Sequence, residues 1–190
     1  MKPIQICQHL GQGHIDAYYD ELSGKEVRVV LKAGGCSVNV PETAYTQAAR
    51  RRAWRKRFDA EFNGGAISWQ PLDEGLRRAK AESKPVCLVF HADWCPHCKT
   101  YSHVFDDPRV VQKARDFVMI LVNADEDMVA NKKYAIDGTY LPRTIFLGPD
   151  GTMAREIHAA RERYTFFWDE HDPASLLGGM DAATRKLAVR

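Results

Sequence analysis

Two cysteines separated by two residues, Cys95 and Cys98, are the part of the sequence best suited to chemistry. Thiols at this spacing can close a disulfide with little movement of the backbone. An apolar run at residues 86–90 precedes the pair and a helical pattern begins at Pro96, which suits a first helical turn. The unpaired N–H groups at the start of that helix favour a thiolate at Cys95, and a thiolate is a reactive nucleophile.

The alternatives for this pair are half of a zinc site and a chance pair of core cysteines. A zinc knuckle needs a second close pair of ligands, whereas Cys7, Cys36 and Cys87 are isolated from one another. The spacing therefore favours redox chemistry with no metal and no organic cofactor. Cys7 and Cys36 could pair, which their separation neither supports nor forbids, and Cys87 is predicted to be a buried, inert strand residue.

Each residue of the motif has a predicted role in disulfide exchange. Cys95, near the helix end and solvent, is the candidate for attack, and Cys98, one turn further in and more buried, resolves the mixed disulfide. A donor or positive charge at His97 would stabilise the thiolate and make the disulfide more oxidising; the alternative is a plain exposed imidazole. Trp94 is expected to pack beside the site and screen Cys95. The alternative is an ordinary core residue, and the two interpretations overlap.

Three stretches, residues 84–86, 92–99 and 140–147, resemble a thioredoxin-fold domain when they are taken together. The resemblance covers roughly residue 67 to the C-terminus. It is strongest to the C-terminal domain of the bacterial reductase DsbD and to small endoplasmic-reticulum thioredoxin-like proteins that share a Tyr-x-Pro-Arg segment. It implies a bacterial α/β protein with a mixed central sheet covered by helices on both faces. It also implies disulfide exchange with cysteine-containing protein substrates and an unidentified redox partner.

The resemblance also implies substrate-binding residues. Pro142 is similar to the cis-proline that faces the two cysteines in this fold, and the backbone of Leu141 could then pair with an extended substrate segment. The alternative for Pro142 is an ordinary trans-proline at a strand edge. Arg143 either adds positive potential near the site or is a solvated charge at the strand edge.

One position departs from the family pattern. Many thioredoxins have a buried Asp, which helps proton transfer at the resolving cysteine, where this chain has Val89. We expect His91, Asp93 or water to take over that role, although His91 could equally be a packed residue at the end of a strand.

Composition is consistent with one domain and an extension. The 190 residues are 45% apolar, which is enough for a packed core. We predict an extension at residues 1–66 and a thioredoxin-like domain at residues 67–190. The extension contains a β-hairpin, residues 26–32 and 36–40, with a loop of about three residues, followed by a helix to about residue 62.

Residues 50–57 of that helix include six basic side chains. They could form a docking face for nucleic acid or an acidic partner, but a solvated helix face is favoured. No aromatic base-stacking platform accompanies the charges, and the net charge of the chain is only +2.

The sequence also bears on location. No apolar stretch reaches the roughly eighteen residues of a membrane span, and the first residues lack the apolar segment of a secretory signal. The chain as it stands is expected to be cytoplasmic, or periplasmic if a signal was removed.

The order of predicted elements in the second part of the chain is typical of a mixed sheet with helices. Helices are predicted at residues 72–82, 96–105, 108–115, 125–134 and 172–187, strands at 86–91, 117–122, 144–147 and 152–157, and a loop at 158–171. Two other functions remain compatible with this pattern. One is a thioredoxin-fold binding module with incidental cysteines, and the other is a thiol-based redox sensor or peroxide reductase.

Overall fold

The fold is described by a computed structural model that covers residues 18–20, 25–32, 35–39 and 61–187. The chain divides into two compact units, residues 1–56 and 57–190. This division lies ten residues before the domain boundary expected from the sequence at 66/67, because Phe62 is buried in the core of the second unit.

The first unit contains a small antiparallel sheet. Its strands are β1 (Tyr18–Asp20), β2 (Lys25–Lys32) and β3 (Gly35–Asn39), in the order β1-β2-β3. Lys32 lies opposite Gly35, so the predicted hairpin is present. Strand β1 was not predicted, since three residues are too few to show a strand period. Three predictions lie outside the described residues. They concern Cys7, the basic stretch 50–57 and most of the helix predicted up to residue 62.

The second unit alternates helices and strands in the predicted order. Its elements are α1 (Leu72–Glu82), β4 (Val86–His91), α2 (Pro96–Ser102), α3 (Pro108–Lys113), β5 (Val118–Asn123), α4 (Met128–Lys133), β6 (Arg143–Leu147) and α5 (Pro173–Leu187). Short 3-10 turns continue α2 and α3 at His103–Asp106 and Ala114–Asp116. None of the helices described is long and apolar enough to cross a membrane.

The sheet of the second unit is mixed, as predicted. Its strand order is β5-β4-β6, with β4 parallel to β5 and antiparallel to β6. In this register Val86 lies opposite both Val118 and Leu147. All three strands are buried along their whole length, as continuous apolar runs covered by helices should be.

One face of this sheet packs against α1 and α4. The alternate β4 side chains that include Leu88 and Phe90 share a core with Ala79 of α1 and Tyr134 after α4. Helix α1 approaches β5 closely because it has a glycine at the contact. A Cβ atom at Gly75 would lie 2.4 Å from Cγ1 of Ile120.

The opposite face carries α2 and α5, which confirms helices on both faces. The hydroxyl of Tyr101 in α2 lies 2.8 Å from Oγ1 of Thr144 in β6. Trp168 packs edge-on against Phe146 of the same strand, with ring centroids 5.7 Å apart. Trp168 also lies against α5 at Gly179, where a Cβ atom would be 2.3 Å from the indole ring.

The region after β6 differs from the prediction. The expected strand at residues 152–157 is reduced to a single bridge between Leu147 and Met153, since the chain turns where the N–H of Ile157 donates to the carbonyl of Ala154. The following residues form neither helix nor strand, as predicted.

Candidate active site

The cysteine motif lies at the junction between β4 and α2, as the sequence predicts. Cys95 is the N-cap residue of α2 with an extended backbone, and Pro96 is the first helical residue. The backbone N–H of Cys98 donates a hydrogen bond to Sγ of Cys95 at 3.2 Å. The start of the helix therefore offers a donor to the first sulfur, which favours negative charge there.

The two cysteines are buried to the same extent, which corrects the expectation that Cys95 would be nearer to solvent. Cys95 is 3% exposed and Cys98 is 2% exposed, and both are free thiols. Leu141 packs over the pair, and Sγ of Cys95 lies 3.8 Å from the Leu141 carbonyl oxygen, to which it donates. The loop that carries Leu141 therefore covers Cys95, which was expected from the sequence to face solvent.

The thiol of Cys98 is held in its neutral form. Burial raises its pKa, and the hydrogen bond with Cys95 and the negative charge of Glu170 raise it further. Cys87 is the second residue of β4, where burial alone raises the pKa of its thiol. A buried neutral thiol far from solvent has little reactivity, in agreement with the inert role predicted for Cys87.

His97 is exposed, and its ring contacts Glu170 and Phe167. Its Nδ1 lies 2.9 and 3.0 Å from the two carboxylate oxygens of Glu170. Its ring packs edge-on against Phe167, with centroids 5.9 Å apart. The sequence did not identify Glu170, because it is 73 residues away in a segment without a helical or strand pattern.

Trp94 is 68% exposed, so its interpretation as an ordinary core residue is wrong. Its indole N–H donates to Oδ2 of Asp125 at 2.8 Å. Asp125 follows β5, whose end lies beside that of the parallel strand β4. The exposed ring is therefore tethered beside the cysteine motif.

The bond between Leu141 and Pro142 is cis, as predicted. Arg143, the next residue, is completely buried, so the solvated alternative is wrong. Its guanidinium donates to the carbonyl of Gly138 at 2.5 Å and to the backbone and side-chain oxygens of Asn131. Burial lowers its pKa. Arg143 thus ties the chain before Pro142 to the sheet.

A cavity of about 200 Å³ lies beside Cys98 and is lined by Glu61, His91 and Asp93 among others. One ligand atom from each of these three residues lies within 4.8 Å of the other two. His91 is buried and packs against the ring of Phe62. This agrees with the alternative interpretation of His91 as a packed residue at the end of a strand. The two carboxylates are exposed, and exposed acids commonly cluster without an ion, so we assign no metal to them.

Residues 68–149 of the chain match the thioredoxin-like family. Human anterior gradient protein 2 homolog is 32% identical over 127 residues, which cover 65% of this chain and 70% of that protein. The chain belongs to the thioredoxin-like family. Within this thioredoxin-like family it is also similar to anterior gradient protein 1 of Xenopus tropicalis, with 32% identity over 184 residues, 95% of this chain and 90% of that protein.

The solved structure of a thioredoxin from Thermus thermophilus has the same fold. It superposes with a TM-score of 0.51 at 26% identity and covers 64% of this chain and 89% of that chain. The fold predicted for this thioredoxin-like protein is therefore confirmed. The anterior gradient relatives come from vertebrates, so they do not support the expectation of a bacterial protein.

Proposed function

We propose that this thioredoxin-like protein is a thiol–disulfide oxidoreductase that acts on cysteine-containing proteins through Cys95 and Cys98. The hydrogen bond from the N–H of Cys98 to Sγ of Cys95 is the observation that carries the proposal. It gives the two buried cysteines different surroundings, one with a donor for negative charge and one whose pKa is raised. Disulfide exchange needs this difference between an attacking and a resolving thiol.

The reaction begins when the thiolate of Cys95 attacks one sulfur of a substrate disulfide. A mixed disulfide forms, and the other substrate sulfur leaves as a thiolate that takes up a proton. Cys98 then loses its proton and attacks Sγ of Cys95, which releases the second substrate sulfur. The substrate gains two electrons and the enzyme is left with a Cys95–Cys98 disulfide. The reverse sequence oxidises a substrate, and a separate redox partner restores the starting state.

His97 acts on the first sulfur through its charge. When protonated, it stabilises a thiolate at the start of α2 and so favours the reduced form of the pair. Its position within the motif, two residues after Cys95, supports this role.

The substrate approaches over Leu141 and Pro142. Because Leu141 packs on the sulfur pair and its carbonyl accepts from the Cys95 thiol, a substrate segment reaches Cys95 by replacing these contacts. An extended segment can pair with the backbone there. The exposed ring of Trp94, the residue before Cys95, supplies an apolar surface beside the motif.

The division of labour between the two cysteines can be tested by trapping. In a Cys98→Ser variant the mixed disulfide cannot be resolved, so covalent adducts with a scrambled disulfide protein accumulate. In a Cys95→Ser variant no adduct forms and turnover of the scrambled protein is lost. Both variants are made in a background in which Cys7, Cys36 and Cys87 are replaced by alanine, which leaves the motif as the only source of adducts. Non-reducing gels and mass spectrometry of the trapped peptide measure the result.

Two outcomes would contradict the proposal. Adducts that form at Cys98 in the Cys95→Ser variant would reverse the roles. Refolding of the scrambled protein at an unchanged rate without either cysteine would instead identify a binding module.

A further inference from the structure

The segment of residues 166–171, here called the buttress segment, is fixed to the sheet although it has no regular structure. The carbonyl of Phe166 accepts from the N–H of Thr144 at 2.9 Å. The indole N–H of Trp168 donates to the carbonyl of the same Thr144, also at 2.9 Å. Both aromatic side chains are buried. The buttress segment therefore has a fixed position beside β6.

The residues between and after these anchors reach the cysteine motif. Phe167 packs against the ring of His97, and Glu170 places both carboxylate oxygens within 3.0 Å of Nδ1 of His97. The side chain of Glu170 is 14% exposed, whereas that of His97 is 61% exposed. The carboxylate is thus the more tightly packed of the two groups, and it fixes the position of the imidazole.

Glu170 is also an electrostatic neighbour of the sulfurs. Its charge raises the pKa of Cys98. The imidazole of His171 also faces this carboxylate, with its Nε2 3.7 Å away. A carboxylate that compensates the charge of His97 leaves less positive potential to stabilise a thiolate at the motif.

We propose that Glu170 is a positioning residue that sets the redox equilibrium of the Cys95–Cys98 pair through its contact with His97. When His97 is protonated, the negative charge of Glu170 offsets its positive charge, so the thiolate is less stable and the equilibrium favours the disulfide. Without it the charge of His97 is free to stabilise the reduced form, so the disulfide becomes a stronger oxidant. This inference rests on the proposed function, since it concerns the equilibrium of the same pair.

The test is a Glu170→Gln variant equilibrated with reduced and oxidised glutathione at fixed pH. Glutamine keeps the shape of the side chain and removes its charge. We expect the disulfide to be about three- to tenfold easier to reduce, which corresponds to about 14 to 30 mV for a two-electron couple. A Glu170→Asp variant keeps the charge and should remain closer to the wild-type equilibrium. A Glu162→Gln variant removes an exposed carboxylate shortly before the buttress segment and should change nothing.

A second measurement separates action through His97 from a general effect on the fold. In a His97→Gln background the effect of Glu170→Gln should fall by at least half, because no imidazolium remains to be neutralised. A purely structural role would lower the urea midpoint of unfolding and leave the glutathione equilibrium unchanged.

The two proposals fail in different ways. If the wild-type pair forms no disulfide with glutathione, the proposed function is wrong. If the wild-type pair has a defined equilibrium constant and Glu170→Gln reproduces it, only the role of Glu170 is overturned. The same holds if the full effect persists in the His97→Gln background.

Discussion

At the scale of single residues, Cys95 and Cys98 differ by their hydrogen bonds and not by their exposure. Both are almost completely buried. Sγ of Cys95 accepts a backbone N–H, whereas burial and neighbouring groups raise the pKa of Cys98. Reactivity follows the stability of the thiolate, so under the proposed function this difference favours Cys95 as the attacking thiol even though neither cysteine faces open solvent.

The raised pKa of Cys98 predicts a distinctive pH profile. In a Cys95→Ser variant, iodoacetamide should modify Cys98 slowly at neutral pH, and the rate should still be rising at pH about 10, well above the ordinary thiol pKa of about 8.5, because burial is the largest cause of the shift and is retained. Mass spectrometry of the peptide that contains Cys98 measures the rate. The same variant unfolded in urea is the control and should level off by pH about 10, where a thiol of pKa about 8.5 is almost fully ionised. A plateau by pH about 10 in the folded protein as well would contradict the prediction.

At the scale of elements, α5 supports the active site indirectly. Its Gly179 lies against Trp168, and Trp168 anchors the buttress segment that carries Glu170. The adjacent Gly178 has open space where a Cβ atom would lie. These two neighbouring glycines of one helix therefore differ in burial and in the contact with the indole ring.

This difference predicts opposite effects for the same substitution. Gly179→Ala should lower the free energy of unfolding by about 1–3 kcal/mol, because its methyl group overlaps the ring of Trp168. It should also shift the glutathione equilibrium in the same direction as Glu170→Gln, since displacement of Trp168 moves the buttress segment. Gly178→Ala should raise the free energy of unfolding by up to about 1 kcal/mol, because alanine favours the helix. Urea unfolding followed by circular dichroism distinguishes them, and equal effects at both positions would refute this account of the contact.

Local patterns made the central elements predictable from the sequence. The apolar runs of β4 and β5 and the proline at the start of α2 are properties of neighbouring residues. Glu170 and Asp125 could not be found in this way. Each meets the motif through one contact across a long separation, 73 residues for Glu170 and 31 for Asp125, and no local period encodes such a contact.

Burial of charged or reactive groups was also hidden from the sequence. Arg143 next to Pro142 could have been solvated or inward-facing, and its burial is made tolerable by oxygen acceptors on Gly138 and Asn131, which lie earlier in the chain. The exposure of Cys95 was predicted from its place at a helix end. The packing of Leu141 over it depends on a loop that is distant in sequence.

At the scale of the whole molecule, the second unit begins before the segment that resembles a thioredoxin. Phe62 packs against Trp69 and Phe105, with ring centroids 6.1 and 5.6 Å apart. Its carbonyl accepts from the indole N–H of Trp69 at 2.7 Å, and the side chain of Asn63 donates to the carbonyl of Phe105 at 2.9 Å. These contacts join residues before the predicted boundary to the core that supports α2.

The position of this boundary can be tested with two fragments. Residues 57–190 retain the contacts of Phe62 and Asn63 and should unfold cooperatively, with wild-type reactivity of Cys95 toward a small disulfide. Residues 67–190, the domain expected from the sequence, should be less stable by about 3–5 kcal/mol, the usual cost of losing a buried aromatic side chain. A Phe62→Ala variant of the longer fragment should account for most of that loss, because it removes the ring and keeps the backbone. Urea unfolding measures all three. If the shorter fragment is as stable as the longer one, the core begins at residue 67 and the packing of Phe62 adds nothing to the free energy of unfolding.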